Sequence, residues 1–206
     1  MTPLGNARRI KPDLPSKSGR AFFRPRSNGS ELWRIFLVFF CIISLAANSL
    51  AQEQHTEYEI KAAFLFNFAK FVEWPTTAFA GTNSPIVIGV LGKNVFGDNL
   101  QKTIRDRKVN NRSFQFRNFE SVADATNCQI LFISASEKDD YVNIISALHS
   151  ASVLTVSEDD GFLKAGGMIN FLLEDKNIRF QISDEAAKKA RLKISSKLLS
   201  LAVATH

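Results

Sequence analysis

The stretch that decides the fold runs from Gly161 to Leu201 and reads GFLKAGGMINFLLEDKNIRFQISDEAAKKARLKISSKLLSL. At its centre, Met168–Glu174 and Ile178–Ile182 are strand-like runs joined by Asp175, Lys176 and Asn177, a short polar connection that predicts a β-hairpin. Alternation in the second run sends Ile178, Phe180 and Ile182 to a core and Arg179 and Gln181 the other way. On the first run, Ile169, Phe171 and Leu173 oppose Asn170, Leu172 and Glu174. A helix is expected next, capped by Ser183 or Asp184 with Asp184 and Glu185 in its first turn, and a second helix over Lys193–Val203. A chain ending in strand, strand, helix needs an earlier sheet for the hairpin to join.

Working outward, the same alternation of strand and helix recurs upstream. Gln52–Trp74 reads as one amphipathic helix stopped by Pro75, with Ile60, Phe64, Leu65, Phe68, Phe71 and Val72 on its core stripe. Phe66 falls on the opposite side, to be covered by another layer or offered to a partner. Ile86–Leu91 and Gln129–Ser134 are continuous apolar runs suited to buried parallel strands, and Ser152–Val156 is a further strand. Phe114–Phe119 alternates instead, with Phe114 and Phe116 on one side and Gln115 and Arg117 on the other. Short helices are expected over Asp98–Arg105 and Glu120–Thr126, and a longer one over Ser136–Ser150 with Ser136 as its cap. This order predicts a three-layer α/β/α sandwich whose mostly parallel sheet becomes mixed through the C-terminal antiparallel hairpin.

The first 51 residues differ in kind. Eight basic residues against Asp13 and Glu31 precede an uncharged apolar run, Ile35–Ala47, and then Ser49, Leu50 and Ala51, a small-x-small pattern. Basic region, apolar region and cleavage pattern in that order describe a secretory signal peptide cut between Ala51 and Gln52; the alternative is an uncleaved anchor. The apolar run of 13 residues falls short of the roughly 20 that a spanning helix needs. Phenylalanines Phe39 and Phe40 before Cys41 sit where a lipoprotein signal wants small residues. Residues 52–206 then form one domain, exported to the periplasm. Of the 26 basic and 20 acidic side chains, the leader takes eight and two, so 18 of each remain. The basic pI belongs to the leader, and nothing points to nucleic acid.

Motifs for chemistry are sparse. Gly89, Gly92 and Gly97 in GVLGKNVFG match neither dinucleotide nor P-loop spacing, although the ends of parallel strands are where small ligands bind. Gly92, Lys93, Asn94, Ser134 and Ser136 are the candidate ligand residues there. His55, His149 and His206 show no metal-ligand spacing, and Glu158-Asp159-Asp160-Gly161 lacks the calcium-loop pattern. No nucleophile and base set is visible, and no cofactor is implied. Cys128, alone after the leader is removed, is a small buried hydrophobe or a redox residue. Glu174 and Arg179 bracket the hairpin turn and could pair across it, a polar rim beside apolar Leu172 and Phe162.

Two segments resemble a known family. KAAFLFNFAKFVEWP (Lys61–Pro75) after an export signal, and GGMINFLLEDKNIRFQI (Gly166–Ile182) followed by LKISSKLLSLA (Leu192–Ala202), are similar to the YfiR-like family of small periplasmic proteins. IVIGVLGKNVFGDNL and CQILFIS between them resemble it too. The resemblance implies a repressor that binds the periplasmic sensor region of an inner-membrane diguanylate cyclase, lowering cyclic di-GMP and biofilm formation. It also implies sequestration by an outer-membrane lipoprotein, and a homodimer. The family's best-known member has stabilising disulfides; with Cys128 alone, an intramolecular one is excluded here. Such a repressor needs no catalytic group, only tighter binding to one state of the cyclase. The expected partner surface is Phe162, Met168, Leu172, Glu174, Arg179 and Ile182 around the hairpin, with Phe66 as a second candidate. The competing readings are a periplasmic small-ligand receptor using the strand ends and, with least support, a secreted hydrolase.

Overall fold

The computed structural model describes residues 57–203; the leader, its cleavage site, His55 and His206 lie outside the described residues. Helix α1 (57–71) leads into strand β1 (Val72–Glu73), then β2 (Ile86–Leu91), α2 (Asn99–Ile104), β3 (Lys108–Val109) and β4 (Arg112–Phe119). After these come β5 (Ile130–Ile133), α3 (Tyr141–Leu148), β6 (Leu154–Ser157), β7 (Ile169–Glu174) and β8 (Asn177–Ile182). The chain closes with α4 (Asp184–Lys189), β9 (Lys193–Ile194) and α5 (Ser196–Leu199). Seven strands form one mixed sheet in the order β3-β4-β2-β5-β6-β7-β8. The five from β4 to β7 run parallel, and β3 and β8 pair antiparallel at the two edges.

Alternation along the central strands feeds two cores. Ile88, Val90, Ile130, Phe132, Leu154 and Val156 belong to one apolar cluster, with α1, α2 and α4. Leu91, Leu131 and Ile133 belong to the other, with Tyr141, Ile144 and Leu148 of α3. Both faces are therefore covered, which is why β2, β5 and β6 read as unbroken apolar runs. The first core is aromatic: Phe68 is fully buried, with ring centroids 5.9 Å from Phe171 and 5.3 Å from Phe180. Burying one such side chain stabilises by roughly 1.5–3 kcal/mol. The second face carries less regular helix than the sequence suggests. The 122–127 and 135–140 segments are 3-10 turns capped by Ser121 and Ser134, so the long helix expected to begin at Ser136 shortens to α3.

Two further expectations fail for one shared reason. The first helix stops at residue 71 rather than Trp74, and Lys193–Ile194 is a strand rather than the start of a helix. Val72 pairs with Ile194 and Glu73 with Lys193, while Ser195 donates its N–H to the Phe71 carbonyl at 2.9 Å. This small second sheet takes both segments out of helical geometry, and the helix-disfavouring position before Pro75 gives Trp74 no reason to resist. Ser195 then caps α5, accepting from Leu198 N–H at 3.3 Å. Ile60, placed on the core stripe by periodicity, is instead 43% exposed, because α1 packs through its later turns from Ala62 to Ala69.

Candidate functional site

Two places combine accessible groups with defined geometry: the carboxyl ends of the parallel strands, and the β7–β8 hairpin. At the first, Gly92 follows β2 with a positive φ of 81°, and a Cβ there would collide with the Ser136 hydroxyl and the Glu137 carboxylate. The loops after β2 and β5 are thus laced together. Lys93 N–H donates to Ser136 Oγ at 3.1 Å, and Ser136 Oγ donates to Glu137 Oε1 at 2.7 Å. Ser134, buried, accepts from Ser136 N–H at 3.4 Å, while Asn94 Oδ1 accepts from Phe96 N–H at 3.0 Å. The structure brings the five candidate ligand residues together. It spends their polar groups on one another and on the neighbouring Phe96, Gly97 and Glu137, while among the described residues the exposed Lys93 amine has no partner.

The first turn of α1 occupies the neighbouring strand end. Lys61, only 4% exposed, is held by Glu57 and, at 2.5 Å, by Glu158, the residue after β6. Tyr58 donates its hydroxyl to Glu158 at 3.0 Å and meets Phe96 edge-on at 5.5 Å. Burial, then the nearby Glu158 carboxylate, hold the Tyr58 phenol well above its usual range, so it remains a donor. A cation shared by two carboxylates with an added phenol donor satisfies the charges that burial would otherwise penalise. The sequence separation of 97 between Lys61 and Glu158 hides this cluster from any reading of local pattern; its one sequence signal is a lysine near a mostly apolar stripe.

The hairpin is built differently. Asp175 and Lys176, both at positive φ (48° and 63°), make a two-residue turn that sets Glu174 opposite Asn177, one residue tighter than the expected connection. Strand β7 pairs with β6 only at Val156↔Ile169 and Ser157↔Asn170, so Leu172–Glu174 and their β8 partners run past the end of β6, while Phe171 and Phe180 stay in the core. Leu173, assigned to the core by alternation, is consequently 61% exposed. Arg179 and Glu174 are exposed, and Leu172 and Ile182 are half-buried. Register sets Arg179 opposite Leu172, and among the described residues no ion pair joins it to Glu174.

Three expected partner residues are placed inside. Phe162 is fully buried in the second core, 5.1 Å from the Tyr141 ring centroid, and Gly167 lacks a side chain because a Cβ there would strike the Phe162 ring. Met168 is buried too. Phe66 lies under neighbouring structure: its ring centroid is 5.3 Å from Phe114, with Lys70 Nζ at 4.4 Å and Arg107 Cζ at 4.6 Å. A buried ring offers a partner no surface, so the accessible set contracts to Leu172, Glu174, Arg179 and Ile182, joined by Leu173.

Cys128 is a free thiol with 2% exposure. Burial pushes it up to about 12, leaving on the order of one thiolate in 10⁵ at neutral pH. The redox reading therefore loses its nucleophile, and Cys128 sits as a small apolar side chain in the second core. Among the described residues, no group of three or more His, Cys, Asp and Glu is placed to hold a metal ion.

Fold and sites together define an α/β domain whose strand-end polar groups are met from within and whose projecting hairpin carries the exposed Leu173, Glu174 and Arg179. A family profile described as YfiR/HmsC-like matches residues 58–203, and the chain belongs to that family. No curated protein matches the sequence. A crystal structure of a conserved domain protein from Vibrio cholerae O1 biovar eltor str. N16961 aligns with 12% identity and a TM-score of 0.46. That alignment covers 59% of this chain and 55% of the other, about half the length of its relative.

Proposed function

We propose that this chain is an exported regulatory binding protein that restrains an inner-membrane diguanylate cyclase by binding its periplasmic sensor region. Membership of the YfiR/HmsC-like family over nearly all of the described chain carries this reading. In it, residues 1–51 are the export signal, and the hairpin residues Leu172, Leu173, Glu174, Arg179 and Ile182 form the contact with the sensor. Half-buried Leu172 beside the exposed Arg179 guanidinium on one face, with the exposed Leu173 on the other, suits apolar anchors with a polar rim on a hairpin that a partner contacts from both faces. Repression requires only that the protein bind the inactive cyclase more tightly than the active one, so the absence of a visible nucleophile and base set is no obstacle. Release by an outer-membrane lipoprotein and a homodimeric state belong to the same reading.

The test is cyclase activity in membranes titrated with purified protein. Arg179→Glu and Leu173→Asp are expected to weaken inhibition while leaving the thermal unfolding midpoint close to that of the parent. Full inhibition by both folded variants would remove the hairpin from the interface. The strand-end residues receive no ligand role here, because Ser134, Ser136 and Asn94 are already engaged with neighbouring protein groups.

A further inference from the structure

Charge is distributed very unevenly over the domain. From Gln101 to Asn118 there are six basic side chains and one acidic one, whereas from Phe119 to Asp160 there are eight acidic and one basic. The basic segment surrounds a sheet edge. On its inner side β4 pairs with β2 from Phe114 to Phe119, but on its outer side β3 covers only Arg112 and Ser113. The rest of that edge is unpaired by any strand among the described residues. It borders a groove of about 640 Å³ lined by Gln101, Arg105, Arg107, Lys108, Phe114 and Phe116, among others.

The groove is shaped by the turn that ends α2. Asp106 sits at a φ of 59°, and Arg107 N–H donates to the Ile104 carbonyl at 3.3 Å, which fixes three cations along the turn. Arg105, Arg107 and Lys108 are exposed, and among the described residues none has a carboxylate partner. Arg107 is further organised by lying over the Phe66 ring. An unpaired strand edge is a template for one more strand, and edge augmentation is a common way to capture extended peptides. The free length of six residues, roughly 20 Å, matches a short extended segment.

We propose that the open edge of β4 and its basic turn form a docking site for an extended, acidic segment of a partner protein, which adds beside β4 as a further strand. Backbone hydrogen bonds would supply the register, and Arg105, Arg107 and Lys108 would select for carboxylates. The site is remote in the sheet order from the β7–β8 hairpin, at the opposite edge, and does not depend on the partner being a cyclase. Charged edges also serve to prevent self-association, and that purely protective role is the competing explanation.

The experiment titrates the purified protein with a labelled peptide of about eight residues alternating glutamate and valine, and with its lysine–valine counterpart. Vesicles containing phosphatidylglycerol are tested in parallel. Expected results are saturable, salt-sensitive binding of the acidic peptide alone, with slowed amide exchange confined to Phe114–Phe119. Arg105→Glu with Lys108→Glu, both exposed and away from Phe66, is expected to weaken binding by about tenfold. The proposal is overturned by equal binding of the two peptides, by exchange protection elsewhere, or by binding to vesicles without binding to peptide. It is also overturned if the acidic peptide fails to bind the parent protein, or if the double variant's main effect is on self-association. The parent protein's preference for peptide charge and its exchange pattern stand even if the double variant folds poorly.

Discussion

At the carboxyl ends of β2, β5 and β6, every candidate polar group except the Lys93 amine is met from within: Ser136 by Lys93 and Glu137, Lys61 by Glu57 and Glu158. In the β7–β8 hairpin, by contrast, Leu173, Glu174 and Arg179 stand in solvent on strands that overrun their neighbour, and among the described residues neither Glu174 nor Arg179 forms an ion pair. The difference separates two jobs that sequence alone runs together. Polar residues at strand ends look like a ligand crevice until their partners are known; here Ser136 ties the loops after β2 and β5 together, and Glu158 after β6 acts as a clasp for α1. Groups held apart from internal partners are the ones free to meet another molecule.

The clasp is broken most severely at Lys61. Lys61→Ala leaves two partly buried carboxylates facing each other and is expected to cost roughly 3–5 kcal/mol, read as a fall in denaturant midpoint. Lys61→Leu with Glu158→Gln keeps an acceptor for Tyr58 and removes the charge conflict, so it is expected to recover more than half of that loss. If Lys61→Ala is as stable as the parent, the cluster is not a clasp. A second effect concerns Cys128. Its pKa is raised in the fold, so its stabilising contribution is complete below roughly pH 8.5 and is lost as pH rises toward 12. Unfolding measured between those limits should show the parent losing up to ~1.4 kcal/mol per pH unit from this group, a slope that Cys128→Ala lacks. At pH 8, thiol reagents should label the native protein no faster than it opens.

Smaller effects belong to the hairpin. Asp175→Asn with Lys176→Gly puts residues suited to positive φ in the turn and is expected to add about 0.5–1 kcal/mol, seen as a higher melting temperature. Leu173→Asp and Arg179→Glu should change stability by no more than about 0.5 kcal/mol, since both side chains are exposed. Their effect on cyclase inhibition, in contrast, should be large. A mutation set in which clasp variants abolish function through unfolding, while hairpin variants abolish it in a folded protein, would sharpen the contrast between the two regions.

The parallel strands were readable because burial on both faces leaves runs such as IVIGVL and ILFI with no polar interruption. The hairpin was readable from the two-residue alternation of NIRFQI beside a turn-forming tripeptide. Leu173 defeated that same alternation because the period tells which face a residue occupies, not how far the covering layer extends. β1 and β9 were illegible for another reason. Two-residue strands carry no period, and their pairing joins Val72 to Ile194 across most of the domain. Of the candidate sites, Arg179, Glu174, Leu172 and Ile182 stayed accessible. Phe162, Met168 and Phe66 went inside because an aromatic or thioether side chain looks the same in a sequence whether it anchors an interface or a core.

Regulation of a cyclase from outside the inner membrane is read in cellular cyclic di-GMP measured with and without the gene. The expected result is a rise on deletion that the full chain reverses, that the chain without residues 1–51 does not reverse, and that Leu173→Asp with Arg179→Glu fails to reverse. An unchanged level on deletion, with the native neighbourhood intact, would contradict it.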